Sequence, residues 1–125
     1  MYQAFLELCK LCSNKGYKIV ISSTWRLAGG AKEFNNYFRT YFPIPFIHDI
    51  KEDLVIGTTP RRADGKRGLE IKEWLNKYEV EDYIIIDDDI WDIMPYIDSS
   101  NVLEIIREVG LTMGDVEQIR DYYMK

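Results

Sequence analysis

The sequence predicts an α/β protein in which a mainly parallel sheet lies between two layers of helices, a Rossmann-like three-layer arrangement. Short runs of β-branched and apolar residues alternate with segments of helical periodicity, and 46% of the 125 residues are hydrophobic. This alternation is typical of parallel strands that are covered on both faces by the helices that connect them. A chain of this length is expected to form a single domain, which we assign to residues 1–125.

The N-terminal half begins with a helix, a strand and a second helix. A helix over residues 2–14 is predicted by four side chains at helical spacing, namely Phe5, Leu8, Cys9 and Cys12. Residues 17–22 are rich in β-branched side chains and predict a buried strand. Aromatic residues at helical spacing predict a helix over 32–42, which the prolines that follow would end.

The C-terminal half repeats this alternation around a loop rich in Gly, Pro and basic residues at 57–68. Its predicted elements are a short strand at 54–56, a helix from Ile71 to Tyr78, a buried strand at 83–86, a strand at 102–105 and a last helix. The last helix begins at Thr112 with the Thr-x-x-acid pattern of a capping box and runs to about Tyr123. Parallel sheets carry their functional residues at the carboxyl ends of the strands, so we examine the residues that follow each strand.

Charge balance and cysteine content exclude several classes of protein. The net charge of −5 argues against general coating of nucleic acid. No apolar run approaches the roughly 20 residues that a membrane span needs, and the N-terminal segment lacks the basic region of a secretory signal. Two cysteines cannot form a disulfide framework, so we expect a cytoplasmic protein in which both thiols pack in the core.

Acidic residues follow the strand predicted at 83–86. Asp87, Asp88 and Asp89 come directly after it, and Asp92 lies three residues beyond Asp89. Adjacent carboxylates at the end of a buried strand repel each other strongly. Mg²⁺, which prefers hard oxygen ligands, would offset that repulsion. The alternative is a solvated acidic loop, or a helix capped by Asp89.

Hydroxyl groups and a guanidinium follow the strand predicted at 17–22. Ser22, Ser23 and Thr24 can donate hydrogen bonds to a phosphate, and Arg26 can bind one in bidentate fashion. The alternative is a strand-to-helix turn that Ser or Thr caps.

Basic residues are concentrated in the segment 61–67, which contains Arg61, Arg62, Lys66 and Arg67. This segment precedes a predicted helix, so Lys66 or Arg67 could reach the carboxyl edge of the sheet. There it would neutralise a phosphate ester or a nucleic-acid backbone. The alternative is a solvated basic loop.

Four segments carry a family resemblance, in the order IVISSTWR (19–26), IGTTP (56–60), RGLEIKEWL (67–75) and YIIIDDD (83–89). Together they resemble the haloacid dehalogenase (HAD) superfamily of phosphohydrolases, most closely the HAD domain attached to multi-domain RNA repair proteins. The resemblance covers nearly the whole chain. It implies Mg²⁺-dependent hydrolysis of a phosphate monoester, carried by a phosphorylated small molecule or a nucleic-acid end.

The resemblance also implies a role for each group of residues. The hydroxyl of the second motif would bind the transferring phosphoryl group, the cation of the third would stabilise the phosphoaspartate, and the acids of the fourth would hold Mg²⁺. For the second motif the best match is Ser23, with Ser22 as the second choice. For the third motif the best match is Arg67, with Lys66 as the second choice. For the fourth motif the matching acids are Asp88, Asp87 and Asp92.

The first motif of the family, an apolar strand followed by Asp-x-Asp, has no counterpart here, since the first aspartate of the sequence is Asp49. The resemblance assigns the nucleophile, the general acid/base and the central strand to that motif. We therefore expect a domain that is N-terminally incomplete relative to the family and inactive as this chain. One alternative is a non-catalytic module that binds phosphate, Mg²⁺ or a partner, and another is an unrelated α/β domain. A sheet without its central strand has open edges, at which a homodimer could form.

Overall fold

A computed structural model describes residues 2–22, 29–43 and 47–124. The chain divides into two compact units, one formed by Met1–Thr58 with Thr112–Lys125 and the other by Thr59–Leu111. Helices alternate with short parallel strands in the described residues, which confirms the predicted α/β class. The assignment of residues 1–125 to a single domain stays a prediction.

The secondary structure follows the predicted order. In chain order the elements are α1 (Tyr2–Lys15), β1 (Ile19–Ile21), α2 (Ala31–Tyr41), β2 (Val55–Thr58), α3 (Arg67–Lys77), β3 (Ile85–Asp87), β4 (Val102–Glu104) and α4 (Met113–Gln118). A 3-10 turn at Ser99–Asn101 precedes β4, and a π-helical turn at Ile119–Tyr123 follows α4. The predicted capping box is present, because the Thr112 hydroxyl accepts the Asp115 N–H at 3.1 Å while the Asp115 carboxylate accepts the Thr112 N–H at 2.9 Å. None of the described helices is long and apolar enough to cross a bilayer.

The first unit packs aromatic and thiol side chains around α1. The rings of Phe38 and Phe42 stack at 5.0 Å, and Phe5 meets Phe38 edge-on at 5.5 Å. Cys9 and Cys12 are both buried and free, which confirms core packing. Burial raises the pKa of the Cys12 thiol to about 11, and burial together with Cys12 raises the pKa of Cys9 to about 12. Little thiolate therefore forms at neutral pH, which disfavours redox or metal chemistry at either residue.

β1 and β2 form a parallel pair, and a side chain closes the outer edge of β2. Ile19 donates its N–H to the Leu54 carbonyl at 2.9 Å, and Ile21 lies opposite Thr58. Asn35 of α2 binds both backbone groups of Val55, accepting its N–H at 3.0 Å and donating to its carbonyl at 2.9 Å. The Asn35 amide thus takes the place of a further strand on that side of β2.

In the second unit, β3 and β4 form another parallel pair. Asp87 lies opposite Glu104, and Ile105 extends the ladder by donating its N–H to the Asp87 carbonyl at 2.9 Å. Buried side chains of α3 and of the turn after β3 form the apolar core of this unit, which consists of Ile71, Ile93 and Ile97 with partly buried neighbours. The residues after β3 and those after β4 therefore lie at the same end of one sheet.

The predicted buried strands are shorter and less buried in the structure than expected. The strand predicted at 17–22 comprises Ile19–Ile21, and all three residues of β1 and of β3 are only half-buried. In the described part of the chain both strands belong to two-stranded sheets. Each therefore has one strand neighbour, whereas full burial is typical of parallel strands inside a larger sheet.

Candidate functional site

The predicted phosphate-binding residues fall mostly outside the described residues. Ser23, Thr24 and Arg26 are not among them, and Ser22 is half-buried directly after β1 in the first unit. Their assignment to phosphate binding stays a prediction. The predicted third-motif cations Lys66 and Arg67 and the predicted acids after β3 lie in the second unit.

Arg67 and Asp87, which are 20 residues apart in the sequence, form an ion pair. Arg67 is the first residue of α3 and Asp87 is the last residue of β3. The guanidinium donates to the Asp87 carboxylate, and both side chains are largely shielded from solvent. The fold thus brings the predicted third-motif cation to the predicted fourth-motif acids.

This pairing keeps both groups charged although burial opposes charge. Burial alone would raise the pKa of Asp87, but hydrogen bonds from the Arg67 guanidinium and from the Asp89 N–H lower it below its ordinary value. Burial alone would lower the pKa of Arg67, but the hydrogen bond and charge of Asp87 raise it overall. A carboxylate and a guanidinium therefore persist at the end of β3 at neutral pH.

A glycine allows α3 to approach the turn after β3. Gly68 donates its N–H to the Asp92 carbonyl at 3.0 Å, which satisfies an N–H that the first turn of a helix leaves unpaired. A Cβ at this position would lie 2.8 Å from the Asp92 carbonyl oxygen and 3.0 Å from that of Ile93. Only glycine fits this close approach, and it places Arg67 beside the acidic turn.

Two buried polar atoms of this region have no hydrogen-bond partner within the described residues, namely Asp92 Oδ1 and Arg67 Nε. The charge of Asp92 also contributes to raising the pKa of Arg67, after the larger effects of burial and Asp87. One spare acceptor and one spare donor therefore lie in the same charged region. Buried polar atoms are seldom left unpaired in proteins, which makes both atoms candidates for contact with a bound group.

Arg107 is a cation of this region that the sequence reasoning missed. Its Nε lies 3.3 Å from Asp88 Oδ2 and a terminal nitrogen lies 3.8 Å from Asp89 Oδ2, while 65% of its side chain stays exposed. Arg107 follows β4 by three residues, at the same end of the sheet as Asp88. The strand-end rule directs attention to the residues after β4, but the contact of Arg107 with Asp88 depends on the alignment of β3 with β4.

Acidic side chains order the basic segment 61–67. The carboxylate of Glu70, with 0% of the residue exposed, accepts the Arg62 N–H at 2.7 Å. Asp64 pairs with the Arg62 guanidinium at 3.0 Å and accepts the Lys66 N–H at 3.1 Å. Arg62 and Arg67 are thus neutralised within the protein, and Lys66 is exposed as the N-cap residue of α3.

The donor atoms of the acidic turn are carboxylate oxygens, which suit Mg²⁺ better than softer metals. Asp87 is engaged by Arg67, whereas Asp92 keeps a buried oxygen without a hydrogen-bond partner among the described residues. Within the described residues, no group of three His, Cys, Asp or Glu side chains is placed so that it could hold a metal ion by itself. Mg²⁺ commonly takes one or two protein carboxylates and completes its octahedron with water and substrate phosphate, and this donor set fits that pattern.

Comparison with known families gives a match over most of the chain. The model of a family described as "HAD domain in Swiss Army Knife RNA repair proteins" matches residues 2–116. The chain belongs to this family. The match confirms the resemblance and extends from α1 into α4 of this HAD domain. No curated protein and no solved structure was found to match.

Replacing Gly68 by alanine tests the close approach in the HAD domain. The added methyl group meets backbone carbonyls that cannot move independently, so we expect Gly68→Ala to lower the free energy of unfolding by about 1–3 kcal/mol. Gly114 occupies the same second position of α4, and its Cβ would meet only the Thr112 hydroxyl at 3.6 Å. Gly114→Ala should be neutral or stabilising, by up to about 1 kcal/mol. Equal urea midpoints for the two variants would contradict this interpretation.

The lowered pKa of Asp87 predicts acid sensitivity of the HAD domain. A carboxyl group whose folded pKa lies below its unfolded value stabilises the fold above the unfolded pKa, and this stability is lost as pH falls through the folded pKa. We expect the free energy of unfolding of the wild-type domain to decline from about pH 4 downwards. The free energy of unfolding of Asp87→Asn should decline less steeply over the same range. Some decline remains because the pKa values of Asp53, Asp64 and Asp98 are also lowered. Urea titrations in acid measure both slopes, and identical slopes would refute the assignment to Asp87.

Proposed function

We propose that this HAD domain is the phosphate- and Mg²⁺-binding part of a phosphohydrolase that acts on phosphate monoesters. The observation that carries the proposal is the position of Arg67, held by Asp87 at the end of β3 and next to the Asp88–Asp92 turn. A fixed guanidinium beside hard-oxygen ligands is what a phosphate with a divalent cation requires. The substrates proposed are a phosphorylated small molecule or a nucleic-acid end, and the RNA repair proteins named by the family favour the latter.

Each residue has a separate role in this proposal. Arg67 donates to the phosphoryl oxygens, and Asp87 keeps its guanidinium in position. Asp88 and Asp92 hold Mg²⁺, which when bound would neutralise charge on the phosphate. By family resemblance, Ser23 is the proposed phosphoryl-binding residue, with Ser22 as the second choice, and Thr24 and Arg26 are further proposed phosphate-binding residues.

The 125-residue polypeptide is proposed to bind phosphate without hydrolysing it. By family resemblance, the nucleophile is the first aspartate of an Asp-x-Asp motif that lies before the helix corresponding to α1. The sequence has no aspartate before Asp49. An aspartyl-phosphate forms only where a carboxylate lies in line with the phosphorus.

We also propose that the protein works in the cytoplasm. Cys9 and Cys12 are both free and buried, and unpaired thiols of this kind suit a reducing compartment.

Thermal unfolding with Mg²⁺ and inorganic phosphate tests the proposed site. A ligand that binds only the folded state raises the melting temperature, and the rise grows with the logarithm of the ligand concentration once this exceeds Kd. We expect Mg²⁺ and phosphate together to stabilise the domain more than either does alone, with no phosphate released from a monoester such as p-nitrophenyl phosphate. Absence of any shift would refute the binding site, and release of phosphate would refute the proposed inactivity.

Two variants that each remove one negative charge separate site binding from general electrostatics. Asp88→Asn removes a proposed metal ligand, whereas Glu81→Gln removes an exposed acid that precedes β3. We expect the Mg²⁺-dependent shift to be lost in Asp88→Asn and kept in Glu81→Gln. An equal reduction in both variants would contradict a role for Asp88 as ligand.

A second proposed function is self-association through an open strand edge. The observation that favours it is the pairing of β1, which has β2 as its one strand neighbour in the described residues, while Asn35 blocks the far edge of β2. Unpaired backbone groups on an apolar strand such as Ile19–Ile21 favour pairing with another strand. A homodimer in which β1 edges meet would satisfy those groups.

Sedimentation velocity over a hundredfold range of concentration tests this proposal. We expect the apparent mass to rise from 14.8 kDa towards twice that value as concentration increases. A constant mass of one chain at every concentration would refute the homodimer.

A further inference from the structure

We infer that Trp91 is a stacking surface for the base of the bound substrate, so that the site recognises a phosphorylated ribose that carries a nucleobase. This inference rests on the proposed phosphate site and adds the recognition of a second part of the ligand. The indole of Trp91 is 85% exposed, more than any other large apolar side chain of the described residues. Tryptophan usually buries most of its surface, so this exposure needs a physical reason.

The backbone around Trp91 is fixed by hydrogen bonds. Trp91 donates its N–H to the Asp89 carboxylate at 3.4 Å. The carbonyl of Ile90, directly before it, accepts the N–H of Ile93 at 3.0 Å and that of Met94 at 2.9 Å. Ile93 is fully buried in the core of this unit. The indole is therefore presented to solvent by a structured turn that is anchored to the core.

Trp91 belongs to the same turn as the proposed metal ligands. Asp89, which accepts the Trp91 N–H, donates its own N–H to Asp87 Oδ1 at 2.9 Å. Asp87 in turn holds Arg67, and Arg107 joins Asp88 and Asp89 from the end of β4. A short chain of hydrogen bonds and ion pairs thus links the backbone of Trp91 to the guanidinium proposed to bind phosphate.

The chemistry of such a site suits a nucleotide better than a simple phosphate ester. Every nucleobase has a π face that can stack on an aromatic ring, so stacking does not depend on which base is present. The chain is acidic, with a net charge of −5, and internal carboxylates already neutralise Arg62 and Arg67. Attraction of phosphates by surface charge alone is therefore weak, and a stacked base supplies affinity that the cations do not. The base belongs either to a free nucleotide or to the end of a strand.

Calorimetric titration in the presence of Mg²⁺ tests this inference with ligands that differ in the base. The ligands are adenosine 5′-monophosphate, a 5′-phosphorylated RNA trinucleotide and ribose 5-phosphate, which lacks a base. We expect at least one of the first two to bind wild-type protein about five- to a hundredfold more tightly than ribose 5-phosphate, the gain expected from one stacked base. Trp91→Ala should remove this gain and leave the affinity for ribose 5-phosphate within about twofold. Trp91→Phe should keep part of the gain, because the ring remains.

A matched control and the remaining outcomes complete the test. Tyr78 is also exposed, at 52%, but lies at the C-terminal end of α3, about 16 Å along the helix from Arg67, so Tyr78→Ala should change none of the affinities. If ribose 5-phosphate binds and a base adds nothing, or if Trp91→Ala keeps the gain, the stacking role is refuted while the phosphate site stands. If none of the three ligands binds wild-type protein, both the phosphate site and the stacking role are refuted.

Discussion

The approach of α3 to the turn after β3 is the constraint on which the site in the second unit depends. Gly68 donates its N–H to the Asp92 carbonyl at 3.0 Å, and a side chain there would collide with two backbone carbonyls. This contact sets the distance between the start of α3 and the end of β3. Arg67 precedes Gly68, so the same contact that orders the backbone also places the guanidinium against Asp87. The same packing contact therefore determines both the local fold and the geometry of the site.

The way the charges are paired explains which of them remain available. Arg67 engages Asp87, and the exposed Arg107 makes longer contacts with Asp88 and Asp89. Ion pairs of exposed side chains contribute little, so a cation could displace Arg107 at low cost, whereas breaking the shielded Arg67–Asp87 pair would cost far more. Asp87 is thus better suited to orienting Arg67 than to holding a metal. This division of roles favours Asp88 and Asp92 as the metal ligands.

The sequence predicted the elements well and the contacts between charged groups less well. Periodicity located α1 and α2, and the Thr112 capping box located the start of α4, because these features depend on neighbours a few residues away. The partial burial of β1 and β3 was not predictable, because it depends on how many strands each sheet contains. Family resemblance indicated Arg67 and the acids after β3, but the pairing of Arg67 with Asp87 needed the structure. Arg107 was missed because its role depends on the alignment of two strands distant in sequence.

Selectivity in such a site has to come from few groups. The sequence suggested that the basic segment 61–67 could contact a nucleic-acid backbone. In the structure, Arg62 forms an ion pair with Asp64, and Arg67 forms one with Asp87. Because carboxylates engage two of the four cations of this segment, the domain has few cations left for phosphate contacts, whose affinity grows with the number of cations. Recognition then depends on one oriented guanidinium, on a metal held by carboxylates, and on contacts that are independent of charge. The exposed indole of Trp91, mounted on the same turn as those carboxylates, is the described group best suited to supply such a contact.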